Sequence, residues 1–146
     1  MGFVDIIWRK RDLASIGPGI TFLGVLHWEP GMLFIMAPDV ELKKLTGSFP
    51  KSIKGKGLRH THPLFVLETR QDLVHRVCPC TSKPDWELPC ITAGCKLEYT
   101  DRVMNRTSYI VKKHSFLILN DLPWISRLRF LGKVPEECIK IPCRRN

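Results

Sequence analysis

A mainly β domain, a small curled sheet or barrel, is the fold class this sequence predicts. Short runs rich in β-formers recur from Met32 to Leu131, turns containing proline or glycine separate them, and little of the chain has a helical period. At 146 residues with 44% hydrophobic side chains, one domain with a real core is expected. The charged fraction of 25% is ordinary and excludes wholesale disorder.

Residues 1–28 read differently from the rest, as an N-terminal extension without an assignable role ahead of a domain over residues 29–146. The extension holds Trp8-Arg9-Lys10-Arg11, a Gly17-Pro18-Gly19 breaker and an apolar patch ending at His27-Trp28. Glu29-Pro30-Gly31 is a turn signal leading into an apolar strand, Met32–Met36, which Ala37-Pro38-Asp39 closes. From Val40 to His60 the chain is polar and basic, and Gly47, Pro50, Gly55 and Gly57 argue against a regular helix or strand there. Pro63 opens the next strand, a place where a missing N–H is tolerated, and Leu64–Leu67 continues it. Arg70-Gln71-Asp72 turns the chain, and Leu73–Cys80 pairs back as a hairpin that Lys83-Pro84-Asp85 ends. Trp86–Leu97 reads as irregular or weakly extended, and Thr107–Val111 and Ser115–Leu119 as two more strands. Asp121-Leu122-Pro123 breaks the pattern. Ile125–Leu131 is amphipathic and fits a strand or one helical turn. Pro135-Glu136-Glu137-Cys138-Ile139 has the proline and acids of a helix start.

Lysine and arginine outnumber aspartate and glutamate by 23 to 14, a formal charge of +9. That balance favours an anionic partner such as nucleic acid, an acidic protein or a membrane surface; a soluble lysine-rich surface is the competing reading. No apolar run fits a membrane span: Ile16–Met36 comes nearest, and Pro18, Glu29 and Pro30 interrupt it. Asp5 and Asp12 and the lack of a clean small-residue cleavage site argue against an export signal, which makes the cytoplasm the default setting. There the six cysteines read as buried reduced thiols. Cys78, Cys80, Cys90 and Cys95 depart from paired CxxC spacing and give only a weak zinc signature, so no metal or cofactor is expected.

Chemistry concentrates between Gly55 and Ser82. A basic loop with Lys54, Lys56 and Arg59 runs into His60-Thr61-His62-Pro63, and the returning strand ends in Thr81-Ser82. Hairpin pairing brings a cation, imidazoles and hydroxyls to one edge, the parts needed to handle a phosphodiester. Lys54, Lys56 and His60 would contact RNA; a solvated loop and a capping role for Thr81 and Ser82 compete with this. His75 and His114 lie in strand-like runs and read as structural. Trp28, Trp86 and Trp124 are either core residues or stacking platforms for unpaired bases.

The order of these motifs resembles the MazF/PemK family of toxin endoribonucleases over about residues 30–142. Pro30-Gly31-Met32-Leu33-Phe34 resembles the family's opening Gly-Asp-Ile-Trp-type strand, with Met32 at the usual aspartate. The glycine loop and His62-Pro63-Leu64-Phe65-Val66-Leu67 resemble its Gly-x-Arg-Pro-x-x-Val-Leu. Val77–Ser82 is similar to the strand ending Val-Pro-x-Thr-Ser/Thr, and Ser108–Val111 and Leu131–Glu137 to the late strand and the Leu-Gly-x-Leu-x-x-Glu before the closing helix. The resemblance implies an SH3-like barrel with a short C-terminal helix, usually a homodimer. It also implies metal-independent cleavage of single-stranded RNA by 2′-hydroxyl attack, an acidic antitoxin partner, and no membrane.

Carried over position by position, the family's catalytic Thr/Ser falls on Thr81, with Ser82 beside it, and its catalytic arginine falls on His62. An arginine is a permanent cation that forks onto phosphate, whereas a histidine is a better proton-transfer group. The expectation is therefore that His62, with His60, moves protons, Arg59 stabilises phosphate, and Thr81 or Ser82 donates a hydrogen bond. A non-catalytic basic barrel that binds RNA or an acidic protein is the alternative. A zinc-stabilised nucleic-acid module is a third reading.

Overall fold

The computed structural model describes residues 28–51, 60–70, 74–119 and 123–141. The chain is mainly β, organised as a curled antiparallel sheet. β1 (Met32–Pro38), β2 (Thr61–Thr69) and β3 (Val74–Thr81) form its centre. β4 (Cys90–Ile91), β5 (Ser108–Ile110), β6 (Phe116–Leu119), β7 (Arg129–Lys133) and β8 (Ile139–Lys140) complete it. The order is β7-β1-β2-β3-β5-β4-β8, with β6 alongside β3 as well. β3 thus borders β6 at residues 74–77 and β5 at residues 80–81, and the sheet divides along one strand.

The uninterrupted apolar run Leu64-Phe65-Val66 follows from this position. Side chains alternate between faces, and both faces of the central strands are covered. Phe34, Leu64, Val66 and Val77 enter a core with Trp28, Phe116, Ile118, Trp124 and Phe130. Their neighbours Leu33, Phe65, Cys78 and Cys80 enter a second core with Ile91, Leu97, Ile110 and Val134. Each large side chain sealed this way contributes about 1.5–3 kcal/mol of burial. Trp28 and Trp124 are therefore core residues and have no face free for a base. Trp86 remains exposed, edge-on to Tyr109 at 6.2 Å.

β1 carries a bulge. Phe34 pairs with Leu64 and Ala37 with His62, so three steps on β1 match two on β2. Pro63 sits opposite the extra residue, where no ladder N–H is called for. Met36 takes up the distortion with φ 78°.

Three expectations are corrected by the fold. First, the segment after β1 is regular at its start: α1 (Asp39–Thr46) is an α-helix. Gly47 ends this helix instead of preventing it, with φ 79° and its N–H donated to the Lys43 carbonyl. Leu42 anchors α1 in the first core, and Lys43 Nζ donates to the carbonyls of Pro50 (3.0 Å) and Lys51 (3.1 Å). Second, the helix start at Pro135 yields only a 3₁₀ turn, Glu136–Cys138. Cys138 is tied to Cys95, and Ile139 pairs with Ile91 in β8, so the backbone is drawn into the sheet before a helix can propagate. Third, the cysteines are not all reduced. Cys95–Cys138 is a disulfide and Cys90 is also disulfide-bonded, leaving Cys78 and Cys80 as buried thiols. That removes the four-thiolate zinc set. Among the described residues no group of three or more His, Cys, Asp or Glu is placed to hold a metal.

Ile125–Leu131 divides between both predicted forms, a 3₁₀ turn at Pro123–Arg127 and the strand β7. No helix among the described residues is long and apolar enough to cross a membrane.

Candidate functional site

β1 and β2 bring the key carboxylate and imidazole together. Pro38 pairs with Thr61 and Ala37 with His62, and the Asp39 N–H continues the ladder by donating to the His60 carbonyl at 2.9 Å. α1 begins at Asp39, so the carboxylate sits in the first turn, at the positive end of the helix dipole. Its Oδ1 lies 2.6 Å from His62 Nδ1. Asp39 is only 5% exposed, while the His62 side chain keeps 26% of its surface. A carboxylate is acceptor-only, so the bond places the imidazole proton on Nδ1 and leaves Nε2 for a substrate. Among the described residues nothing hydrogen-bonds Nε2.

A second imidazole lies across Phe49. The Phe49 ring meets His62 edge-on at 5.0 Å between centroids and His114 at 5.5 Å. His114 closes the 3₁₀ turn Lys112–His114, and its Nδ1 is 3.2 Å from Ser48 Oγ. Again one ring nitrogen is engaged, and among the described residues nothing hydrogen-bonds Nε2. Partial burial, and then the neighbouring Lys113 charge, push the His114 pKa below the usual imidazole value.

These groups share a cleft of about 930 Å³, lined among others by His62, His114, Thr81 and three lysines, Lys51, Lys83 and Lys113. None of the three lysines is ion-paired with a described residue, although Asp85 stands on the same rim. Thr81 ends β3 next to the start of β2, as the Leu64–Pro79 register requires. Its Oγ1 accepts the Lys83 N–H at 3.1 Å, so the capping reading holds, yet the hydroxyl proton is still available to donate.

The predicted residues are thus only partly assembled. His62, Thr81 and the exposed His60 line one cleft, while Ser82 lines a neighbouring one. Arg59, Lys54 and Lys56 lie outside the described residues. Asp39, Phe49, Lys83, Lys113 and His114 join the site without having been singled out for it. The signal for Asp39 was present: pairing Met32–Pro38 against the strand at His62 puts the next residue, an aspartate, beside that histidine. His114 had no such signal, since its place depends on where β3, β6 and the 3₁₀ turn meet. His75 does prove structural, 2% exposed and stacked on Trp28 at 4.7 Å.

No family model, curated protein or solved structure matches this chain.

Proposed function

We propose that this chain is a metal-independent endoribonuclease that cuts single-stranded RNA by attack of a 2′-hydroxyl on the adjacent phosphorus. One observation carries the reading: His62, held by buried Asp39 at 2.6 Å, shares a cleft with a second imidazole, a hydroxyl donor and three lysines. Transphosphorylation needs a base, an acid and a cationic surround for the charge that builds on phosphorus.

The environments divide the roles. Burial and then Lys113 push the His114 pKa down, which suits it to take the 2′-hydroxyl proton on Nε2. O2′ then bonds to phosphorus as the bond from phosphorus to O5′ breaks. His62, its Nδ1–H held on Asp39, faces the departing O5′ with Nε2 and delivers a proton to it. The products are a 2′,3′-cyclic phosphate and a 5′-hydroxyl end. Thr81 donates its hydroxyl to a non-bridging oxygen, and Lys83 and Lys113 balance the added negative charge. Lysines in this cleft take over the cationic role that an arginine at position 62 would have had.

Motif order supports placing this activity in the MazF/PemK-like toxin class, with an SH3-like barrel, a homodimer and an acidic antitoxin partner as parts of the proposal. The disulfides weigh against the cytoplasmic setting, because cytosolic reductants keep thiols reduced.

Incubating the protein with a long single-stranded RNA in the presence of a chelator, and mapping the ends, tests the reading. Cleavage is expected, with His62→Ala slower by about 10²–10⁴-fold. Asp39→Asn, which keeps the shape and removes the charge, should lower kcat with little change in KM. Intact RNA, or a His62→Ala variant within a few-fold of wild type, rejects the mechanism. Salt-sensitive binding without cleavage would establish the non-catalytic basic barrel instead.

A further inference from the structure

Beyond the Thr61-His62-Pro63 segment lies a second cleft of about 680 Å³, and Thr61 and His62 line both. Its floor is apolar, with Ile35, Met36 and Leu131, and its far wall carries Arg102, Val103 and Arg106. Two of these apolar groups face solvent: Met36 is 43% exposed and Val103 60%. Met36 stands at the β1 bulge with φ 78°, a conformation that residues bearing a side chain rarely adopt and that recurs at functional sites. Neither arginine is ion-paired with a described residue. The wall itself is tied down. Leu97 N–H donates to the Arg102 carbonyl at 2.7 Å, Met104 N–H donates to Cys95 at 2.8 Å, and Cys95 is covalently joined to Cys138.

An apolar floor, two unpaired guanidinium groups and the exposed amide of Asn105 fit a ligand with a flat apolar face, a hydrogen-bonding edge and negative charge. We infer that this cleft holds the nucleotide next to the scissile phosphodiester, its base over Met36 and Val103 and its backbone phosphates on Arg102 and Arg106. Asn105 then faces the base edge and contributes to sequence preference. The inference rests on the ribonuclease reading of the adjoining cleft, and His62, shared by the two, is the point where the strand crosses from one to the other.

The test uses a fluorescent single-stranded oligonucleotide with 2′-deoxyribose throughout, which cannot be cut by 2′-hydroxyl attack, and reads affinity by anisotropy over a series of salt concentrations. Replacing both arginines (Arg102→Ala with Arg106→Ala) is expected to weaken binding about tenfold and to flatten the log–log salt slope by about 1.4, the value for two single-strand phosphate contacts. Met36→Ala is expected to weaken binding about fivefold at an unchanged slope, as loss of a base contact does. Both arginines are exposed, so the double variant should fold, and circular dichroism checks it. On cleavable RNA, Asn105→Ala should change the base frequencies beside the cut. If wild type cleaves RNA and the arginine variant keeps wild-type affinity and slope, the subsite is refuted while the nuclease stands. If wild type neither cleaves nor binds, both fall. If it binds without cleaving, the arginine and Met36 variants decide the subsite by the same affinities.

Discussion

Removing the Cys95–Cys138 crosslink should destabilise the fold by an amount that its loop length sets. The two residues are 43 apart in sequence, and closing a loop of that size removes denatured-state entropy equivalent to about 4 kcal/mol at 25 °C. The bond at Cys90 already restricts the unfolded chain, so this figure is a ceiling. Cys95→Ala combined with Cys138→Ala leaves no unpaired thiol; Cys138 is only partly buried, and Cys95, 5% exposed in the second core, adds a small packing loss to that of the crosslink. For a chain of this size each kcal/mol moves the melting temperature by roughly 3–4 °C, so a fall of about 12–16 °C is the upper expectation. Thermal and urea unfolding of the wild type and the double variant, both without reductant, measure it. A parallel wild-type sample in dithiothreitol should lose at least as much, because Cys90 is then released as well. A double variant within about 1 kcal/mol of wild type would refute the reasoning, since the loop bearing Arg102–Arg106 would then be held by its hydrogen bonds alone.

Two further outcomes follow from the core. His75 is buried without a hydrogen-bond partner for either ring nitrogen among the described residues, and burial lowers its pKa from 6.5. Below pH 6.5 the unfolded chain therefore binds a proton that the folded chain refuses, so stability falls with falling pH by up to about 1.4 kcal/mol per pH unit, while above 6.5 this group contributes no slope. His75→Phe keeps the ring against Trp28 and should flatten that acid limb in urea titrations at pH 5 and 7.5; an unchanged limb assigns the loss to other groups. Gly132→Ala should destabilise by about 3 kcal/mol: at φ 145° an added Cβ would stand 2.5 Å from Leu97 Cβ and 3.0 Å from the Glu98 carbonyl oxygen. A urea midpoint for Gly132→Ala equal to wild type would rule out so close an approach of β7 to that loop.

Strand positions were legible because their causes are local. Apolar runs bounded by Pro30-Gly31, Arg70 and Lys83-Pro84 become β1, β2 and β3 with shifts of one or two residues at their ends. Gly132, read from sequence only as a motif letter, is required by a contact with Leu97 that no local pattern announces. The α1 helix was hidden for a different reason. Glycine and proline were counted as breakers across the whole of Val40–His60, whereas Gly47 and Pro50 act only after eight residues have already formed a helix on the anchor of Leu42. At Pro135 the opposite happened: good local helix chemistry lost to a disulfide and to pairing with β4. Only the Pro135 case shows tertiary contacts overriding a propensity worth about tenths of a kcal/mol per residue.

The candidate site was half legible along the same division. His62 and Thr81 come from one hairpin, so their proximity could be read from strand pairing alone. Asp39 needed one more step, the register of β1 on β2 across a bulge, because a slip of one residue would turn the His62 ring to the other face of the sheet. Lys51, Lys83 and the turn bearing Lys113 and His114 come from separate segments, and only the folded sheet gathers them. This bears on the arginine that the family pattern calls for at position 62. A single permanent cation at a strand entry is a local device that can be read from a motif. Under the proposed mechanism, a histidine fixed by a buried carboxylate, with positive charge contributed from three lysines, would do the equivalent electrostatic task by assembly. Read by motif, the departure at His62 looks like a lost catalytic group. The 2.6 Å bond to Asp39 gives that histidine a defined tautomer, with Nε2 turned to a substrate, which an imidazole without a partner would lack.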